Sequence, residues 1–475
     1  MVNRMMLAIA ITLLAQFSAA TAAPSDDAHV LARAIFKQLI EINTSDTGAG
    51  TTPAAQAMAQ RLRDAGFPDA DIQILGPNEQ KQNLVVRLRG SGKKKPLLLI
   101  GHLDVVTALR SDWSTDPYEF VEKDGYFYGR GTQDMKDGDA IMVTTLMRYK
   151  REGLRPDRDI ILALTADEES GDANGVEWLL KHHRELVDAE FVLNHDGGGV
   201  LLENGRPTQM QITATEKVYA DFALVARNPG GHSSLPVKDN AIYALTDAVG
   251  HIAQFEFPFE LNNVTRAYFE HMATRVDEAQ SADLRGILKT PPDAEAVARV
   301  SERTIENSMI RTTCVATRLQ AGHANNALPQ MAGATVNCRI LPGHSPEEVR
   351  QILVQVIQNP AIAVNYIDTA GELVDVAPQA RGLTPPPLRA DVMRPLERIA
   401  KKMWPTATIV PTMAAGASDG VYTSAAGLPT YLVGGEALER NDIRAHGKDE
   451  RVPVASFYKA VDFYYEYLKA VASYR

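Results

Sequence analysis

The sequence predicts an α/β protein, a mixed sheet covered by helices, with a smaller α+β domain inserted into it. Three observations predict this. Short apolar runs at 83–89, 97–100, 160–165 and 191–193 alternate with stretches of helical periodicity, as in a sheet covered on both faces. Between 214 and 369 the order changes to strand, helix, two strands, helix and strand. After 370 a helix, two strands and a terminal helix resume the first pattern.

In chain order, residues 1–22 are expected to be a cleaved signal peptide. Arg4 gives a positive start, 5–17 is mostly apolar, and Ala20-Thr21-Ala22 offers small residues before Ala23. That run is shorter than the ~20 apolar residues a bilayer span needs, and no later run approaches that length, so no stable membrane insertion is expected. The mature chain is expected in the periplasm or outside the cell. From 30 to 42, the residues Val30, Leu31, Ala34, Ile35, Leu39 and Ile42 recur at helical spacing and are expected to form one buried face. A second helix starts near Pro53, a residue suited to a first helical turn, and ends before Gly66. Strands follow at 83–89 and 97–100, then a helix at 138–149, the strand at 160–165, a helix at 175–184 and the strand at 191–193. His102, Glu168, Glu169 and Asp196 all fall just beyond the expected carboxyl ends of strands, where such sheets assemble their sites.

Setting aside residues 256–307, the inserted domain reads as βαββαβ, a ferredoxin-like sheet backed by helices. Its strands are at 217–227, 312–320, 332–341 and 361–367, and its helices at 240–255 and from Pro346, with Ser345 and Glu348 offering a capping box. The charged, helix-forming segment 256–307 reads as an insertion decorating this domain. The first domain therefore comprises 23–213 and 370–475, and the inserted one 214–369.

A chain of 475 residues can build two cores, and 45% apolar content is that of a globular protein. The formal charge of −10 leaves no basic field for phosphate backbones, so no nucleic-acid partner is expected. Cys314 and Cys338 flank Asn326 symmetrically, and antiparallel pairing would set them opposite each other; an oxidising compartment permits a disulfide, and two buried thiols are the alternative. Two cysteines cannot make a four-thiolate metal site.

The chemistry lies in the histidines and acids. In His102-x-Asp104 an aspartate stands where it can accept the proton of the imidazole nitrogen that does not bind metal. Asp134 lies in a glycine-rich turn that lacks the order of a phosphate cradle, and a carboxylate there can bridge two cations. The adjacent Glu168 and Glu169 would repel each other in one dry pocket unless a metal took Glu169 while Glu168 handled a proton. Asp196 and the distant His446 complete an oxygen and imidazole set suited to zinc. Two metals about 3.5–4 Å apart could then activate water, with Glu168 moving its proton to a leaving nitrogen. Serine chemistry at Ser233 and Ser234 is not expected, because no nucleophile elbow surrounds them.

In this combination the sequence resembles the M20 metallopeptidases, a family of zinc carboxypeptidases, aminoacylases and dipeptidases, over most of the mature chain. The resemblance implies a zinc-hydrolase catalytic domain and an inserted lid that dimerises. It also implies two Zn²⁺, or Co²⁺ or Mn²⁺ on the same donors: one on His102 and Asp196, one on Glu169 and His446, with Asp134 bridging and the peptide bond after it cis. Glu168 is implied as general base and Asp104 as the partner of His102. His232, in Gly230-Gly231-His232-Ser233-Ser234, is implied to reach a partner subunit's oxyanion, and Arg339, Asn325 and Gly416 to contact substrate. The sequence departs from the amino-acid-releasing pattern where Val421 follows Gly420 in place of an arginine-bearing segment. The implied activity is cleavage of a peptide or N-acyl amide bond beside a C-terminal amino acid, in a homodimer; a dipeptidase and a non-catalytic metal- or peptide-binding protein are the alternatives. The insertion at 256–307 resembles that of the secreted N-acyl-amino-acid hydrolase branch, implying a larger acyl pocket.

Overall fold

Two sheets organise the chain in the computed structural model, which describes residues 24–170, 173–368, 370–379 and 385–474. The expected signal peptide at 1–22 lies outside the described residues. The larger sheet has eight strands. Their order is Ile72–Leu75, Asn83–Leu88, Ile160–Thr165, Leu97–His102, Phe191–Glu203, Thr430–Glu439, Arg206–Glu216 and Thr408–Ala414. It is mixed: Leu97–His102 runs parallel to both of its neighbours, whereas Asn83–Leu88 and the hairpin joining Phe191–Glu203 to Arg206–Glu216 add antiparallel pairs. Side-chain alternation assigns the faces. Leu97 and Leu99 join the core under the helices Pro24–Glu41, Lys136–Arg151 and Val454–Ala472, while Leu98 and Ile100 pack with Leu179 and Val187 on the other face. Burial on both faces is why these strands read as unbroken apolar runs.

The first helix, Pro24–Glu41, is rotated from the expected face: Ala28, Ala32, Ile35, Phe36, Leu39 and Ile40 are buried, Ala34 is exposed and Val30 is 69% exposed. The aromatic cluster decides the rotation, because Phe36 stacks on Phe457 with centroids 4.7 Å apart and meets Phe120 and Phe127 edge-on. The strand Arg206–Glu216 was not legible, since Gln209 and Thr213 are buried along with Met210, Ile212 and Ala214 and break the apolar alternation. Their polar groups are satisfied laterally: Gln211 Nε2 donates to Gln209 Oε1 at 3.0 Å, and Thr213 meets Thr412 at 3.0 Å.

The smaller sheet is antiparallel throughout, in the order Thr313–Ala321, Met331–Ile340, Val218–Arg227, Ile362–Ile367 and Leu373–Val374. Its first four strands, backed by Ala241–Gln254 and Pro346–Ile357, are the βαββαβ unit, and Ser345 and Glu348 form the capping box. Cys314 lies directly opposite Cys338 and the two form a disulfide. The chain passes from one sheet to the other at Lys217, between Glu216 and Val218. The helical segment departs from expectation. It does not merely decorate the small sheet: Phe269, Leu284, Ile287 and Val300 pack with Leu341 and with Met413 of Thr408–Ala414. It thus covers the edge strand of the large sheet, which would otherwise present unpaired backbone groups. Among the described residues no helix is long and apolar enough to cross a membrane.

Candidate metal centre

Each side chain of the centre is set by a local backbone feature. His102 is the last residue of Leu97–His102, and it is preceded by Gly101, where a Cβ would stand 2.5 Å from Asp139 Oδ1 and 2.6 Å from Met142 Cε. A larger residue would have to displace these side-chain ends where the helix Lys136–Arg151 packs against the strand end. Asp134 sits in the turn leading to that helix, and the Asp134–Met135 peptide is cis. The turn is organised from behind by Glu450, whose carboxylate accepts the N–H groups of Gln133 at 2.7 Å, Asp134 at 3.2 Å and Gly131 at 3.3 Å. Glu450 is itself ion-paired with the buried Arg130, whose Nη2 donates to the carbonyls of His446 at 3.2 Å and Gly447 at 3.1 Å. One buried pair thereby holds the Asp134 turn and the His446 loop in register.

Glu168 and Glu169 follow the strand Ile160–Thr165 through Asp167, which is in the left-handed region at φ 66°. Here Asp104 differs from expectation. His102 Nδ1 is 3.1 Å from the Asp104 main-chain carbonyl but 3.8 Å from its carboxylate. The carboxylate instead accepts the N–H groups of Glu168 at 3.2 Å and Glu169 at 2.9 Å. Asp104 therefore orients the imidazole through its backbone and the two glutamates through its side chain, because the 167–169 turn offers two free donors that compete for it. Asp196 also differs, since Phe191–Glu203 continues through it. It nevertheless lies past Asn194, the last residue of that strand paired with Leu97–His102. Asn194 Oδ1 accepts the Asp196 N–H at 3.0 Å and its Nδ2 donates to Ser418 at 3.0 Å.

These features converge. His102 Nε2 is 3.0 Å from Asp134 Oδ1, and His446 Nε2 is 3.0 Å from Asp134 Oδ2 and 3.0 Å from the Glu169 carboxylate. Three sets of donor atoms lie within 4.8 Å of one another: His102, Asp134 and Asp196; Asp134, Glu169 and His446; and His102, Glu168 and Glu169. The first two share Asp134, one oxygen turned to each histidine.

The electrostatics ask for cations. Burial pushes the Glu168 carboxyl up to about 10, with the charges of Asp196, Asp419 and Glu169 adding to it. Burial and the charge of Asp134 raise Asp196 well above its ordinary value. Burial opposes ionisation of Asp134 too, but hydrogen bonds from His102 and His446 outweigh it and hold that carboxyl low. The same hydrogen bonds to Asp134 and Glu169 push His446 up to about 10. Protein alone neutralises this cluster by keeping protons on it; divalent cations on mixed nitrogen and oxygen donors would let every carboxylate ionise, so the residues fit a dinuclear metal site.

The other sequence candidates belong to none of these donor sets. His232 is exposed on the short strand Gly231–His232, which pairs with Ala327–Leu328 and so brings it beside the loop carrying Asn325. Arg339 lies over the ring of Tyr219 at 4.6 Å, and Gly416 is exposed in the 415–417 loop. Sequence reasoning missed Glu450, Arg130 and Asp419. Asp419 is buried and accepts from Thr165 Oγ1 at 2.9 Å and Asn174 Nδ2 at 2.6 Å. Nothing in the sequence separates Glu450 from Asp449, which is partly exposed and holds the Ser114 turn instead.

Comparison with known proteins adds to this geometry. The profile of peptidase family M20/M25/M40 matches residues 98–470. An N-fatty-acyl-amino acid synthase/hydrolase, PM20D1, of Xenopus tropicalis is 27% identical over 79% of this chain and 72% of its own length. A probable carboxypeptidase S-like 2 of Dictyostelium discoideum is 28% identical over 80% of this chain and 72% of its own. Among solved structures, the M20 family metallo-carboxypeptidase Sso-CP2 of Sulfolobus solfataricus shares the fold at a TM-score of 0.69 and 18% identity, covering 93% of this chain and 98% of the other.

Proposed function

Because the chain belongs to peptidase family M20/M25/M40, we propose that it is an exported dizinc enzyme that frees a C-terminal amino acid from N-acyl amino acids or short peptides. Its general class is that of the family, a metallohydrolase acting on peptide or N-acyl amide bonds. The observation that carries the finer reading is the pair of donor sets sharing Asp134, with Glu168 in neither. Two divalent cations held there by His102, Asp134, Asp196, Glu169 and His446 would supply charge stabilisation and acidify water; cobalt and manganese suit the same donors. Glu168, aimed by the Asp104 carboxylate through its backbone, takes the proton from water and returns it to the departing nitrogen. The relatives' names, one an acyl-amino-acid hydrolase and one a probable carboxypeptidase, support a substrate in which an acyl or peptidyl group is joined to an amino acid. Export rests on the signal-like residues 1–22, and the Cys314–Cys338 disulfide is in keeping with it.

The test is mass spectrometry of products from a mixed panel of dipeptides, longer peptides and N-acyl amino acids, together with metal analysis. Two metals per chain and release of free C-terminal amino acids are expected, with turnover lost to a chelator and restored by zinc. Silence across the panel with both metals bound would overturn the substrate reading, and a single metal per chain would overturn the dinuclear one.

We further propose a homodimer in which His232 serves the partner's site. Ser234 donates to His232 Nδ1 from its N–H at 3.2 Å and lies 2.7 Å away through Oγ, which places the ring proton on Nε2, free to donate to an oxyanion. The outer edge of Thr313–Ala321, with exposed Val315 and Leu319, leaves room for a second copy. Light scattering should give twice the chain mass. His232→Asn should lower kcat by about 10²–10³-fold without changing metal content, and mixing it with Glu168→Gln should restore activity. A fully active monomer would exclude this arrangement.

A further inference from the structure

A cavity of about 120 Å³ is lined by residues that neighbour the metal centre in sequence but belong to none of its donor sets. Gln133 precedes Asp134, Asp137 follows it in the first turn of Lys136–Arg151, and His195 precedes Asp196; Gly197 and Glu436 complete the polar lining. The strands Phe191–Glu203 and Thr430–Glu439 open around it, since their pairing loses register between Leu432 and Gly434 and again between Gly434 and Ala437. Among the described residues no lysine or arginine lines it.

Its polar groups lack partners. The His195 side chain is 2% exposed, and His195 Nε2 and Glu436 Oε1 are both buried and make no hydrogen bond among the described residues. Glu436 Oε2 accepts the Gly435 N–H at 2.9 Å. The Tyr464 hydroxyl, whose ring lies 5.0 Å from the imidazole, is buried too and donates to neither. The two orphaned atoms are 3.6 Å apart, too far for a direct hydrogen bond. A water or ammonium donating to both would hold them about 4.7 Å apart, from two bonds of about 2.9 Å at a tetrahedral angle. A zinc-like ion about 2.1 Å from each would hold them about 3.4 Å apart, close to what is found. Gly434 keeps the space beside them open, for a Cβ there would stand 2.8 Å from Glu436 Oε2, 3.4 Å from the Gly197 carbonyl oxygen and 3.7 Å from His195 Cε1.

We propose that His195 Nε2 and the Glu436 carboxylate, with the Gly197 carbonyl beside them, form a further divalent-cation site, separate from the centre around Asp134. Zinc, cobalt and manganese suit such mixed nitrogen and oxygen donors. A cation there would relieve two acids at once, since burial and the charge of Glu436 raise the Asp137 carboxyl well above its ordinary value. The site brings two side chains, against three donor residues in each set of the centre, and a cation in it is repelled by those already bound. It therefore fills last and empties on desalting. None of its donors is shared with the centre, so the inference does not depend on the proposed function.

The test is equilibrium dialysis of the zinc-loaded, desalted protein against rising free zinc, with bound metal counted by mass spectrometry, for the wild type, Glu436→Gln and Gly434→Ala. The first variant removes the charged donor. The second fills the space beside it with a methyl group, at a position whose backbone is not left-handed, and leaves every donor in place. The wild type should take up one weakly held zinc beyond those kept on desalting. Its Kd should rise at least about tenfold in each variant, the least that losing even a partner supporting a metal ligand costs, while the zinc kept on desalting stays the same. Absence of the weak zinc from the wild type, or a Kd that either variant leaves unmoved, overturns the proposal. If Glu436→Gln fails to fold, Gly434→Ala decides, and an unaltered Kd there overturns it.

Discussion

Glu168→Gln is expected to lower kcat by about 10²–10⁴-fold, the range that a positioned acid–base group contributes, while two metals per chain remain bound. The amide keeps the size of the side chain and, with Asp104 still accepting the 168 and 169 N–H groups, the turn should keep its shape. What is lost is the ability to take a proton from water. Because His102, Asp134, Asp196, Glu169 and His446 are untouched, metal content by mass spectrometry should match the wild type, and KM should move less than kcat. Rapid turnover by the variant would remove Glu168 from the role of base. Loss of one metal would instead make it a ligand, a use its place with His102 and Glu169 also allows.

Arg130→Met is expected to destabilise the large domain by about 3–5 kcal/mol, the cost of leaving a buried charge without its partner. Glu450 is fully buried, and burial already pushes its carboxyl up to about 7 with Arg130 present. Removing the guanidinium raises it further. The carboxyl then protonates and becomes a weaker acceptor for the Gly131, Gln133 and Asp134 N–H groups, while the His446 and Gly447 carbonyls lose their donor. Urea unfolding of metal-free protein should report the stability loss, and competitive chelation should report weakened metal binding, since the contacts lead to the Asp134 turn and the His446 loop. Adding Glu450→Gln should recover part of the stability through relief of the buried charge. A loss below about 1 kcal/mol would mean that the pair is solvated and does not organise the centre.

The histidines and acids that converge around Asp134 were legible because each lies in a short motif whose chemistry is local. His102 follows an apolar strand, Glu168 and Glu169 follow another, and Asp134 lies among glycines. The role of Asp104 was only half legible. Its spacing from His102 is a property of the chain, whereas the direction of its carboxylate depends on the backbone donors that the 167–169 turn presents from a different strand. Arg130 and Glu450 could not be read at all, for they are 320 residues apart and neither differs in type from solvated neighbours.

By itself, then, the sequence determined most of the strands and helices, though not Arg206–Glu216, that a second sheet interrupts the first, and which histidines and acids gather around Asp134. Apolar periodicity and residue chemistry are properties of neighbours along the chain. The tertiary structure decided the rotation of the first helix, the docking of the 256–307 segment on the large sheet's edge, and the burial of Lys217, Arg130 and Glu450. Each of these depends on what an element meets across space, where packing partners and desolvation set the energy and sequence separation does not.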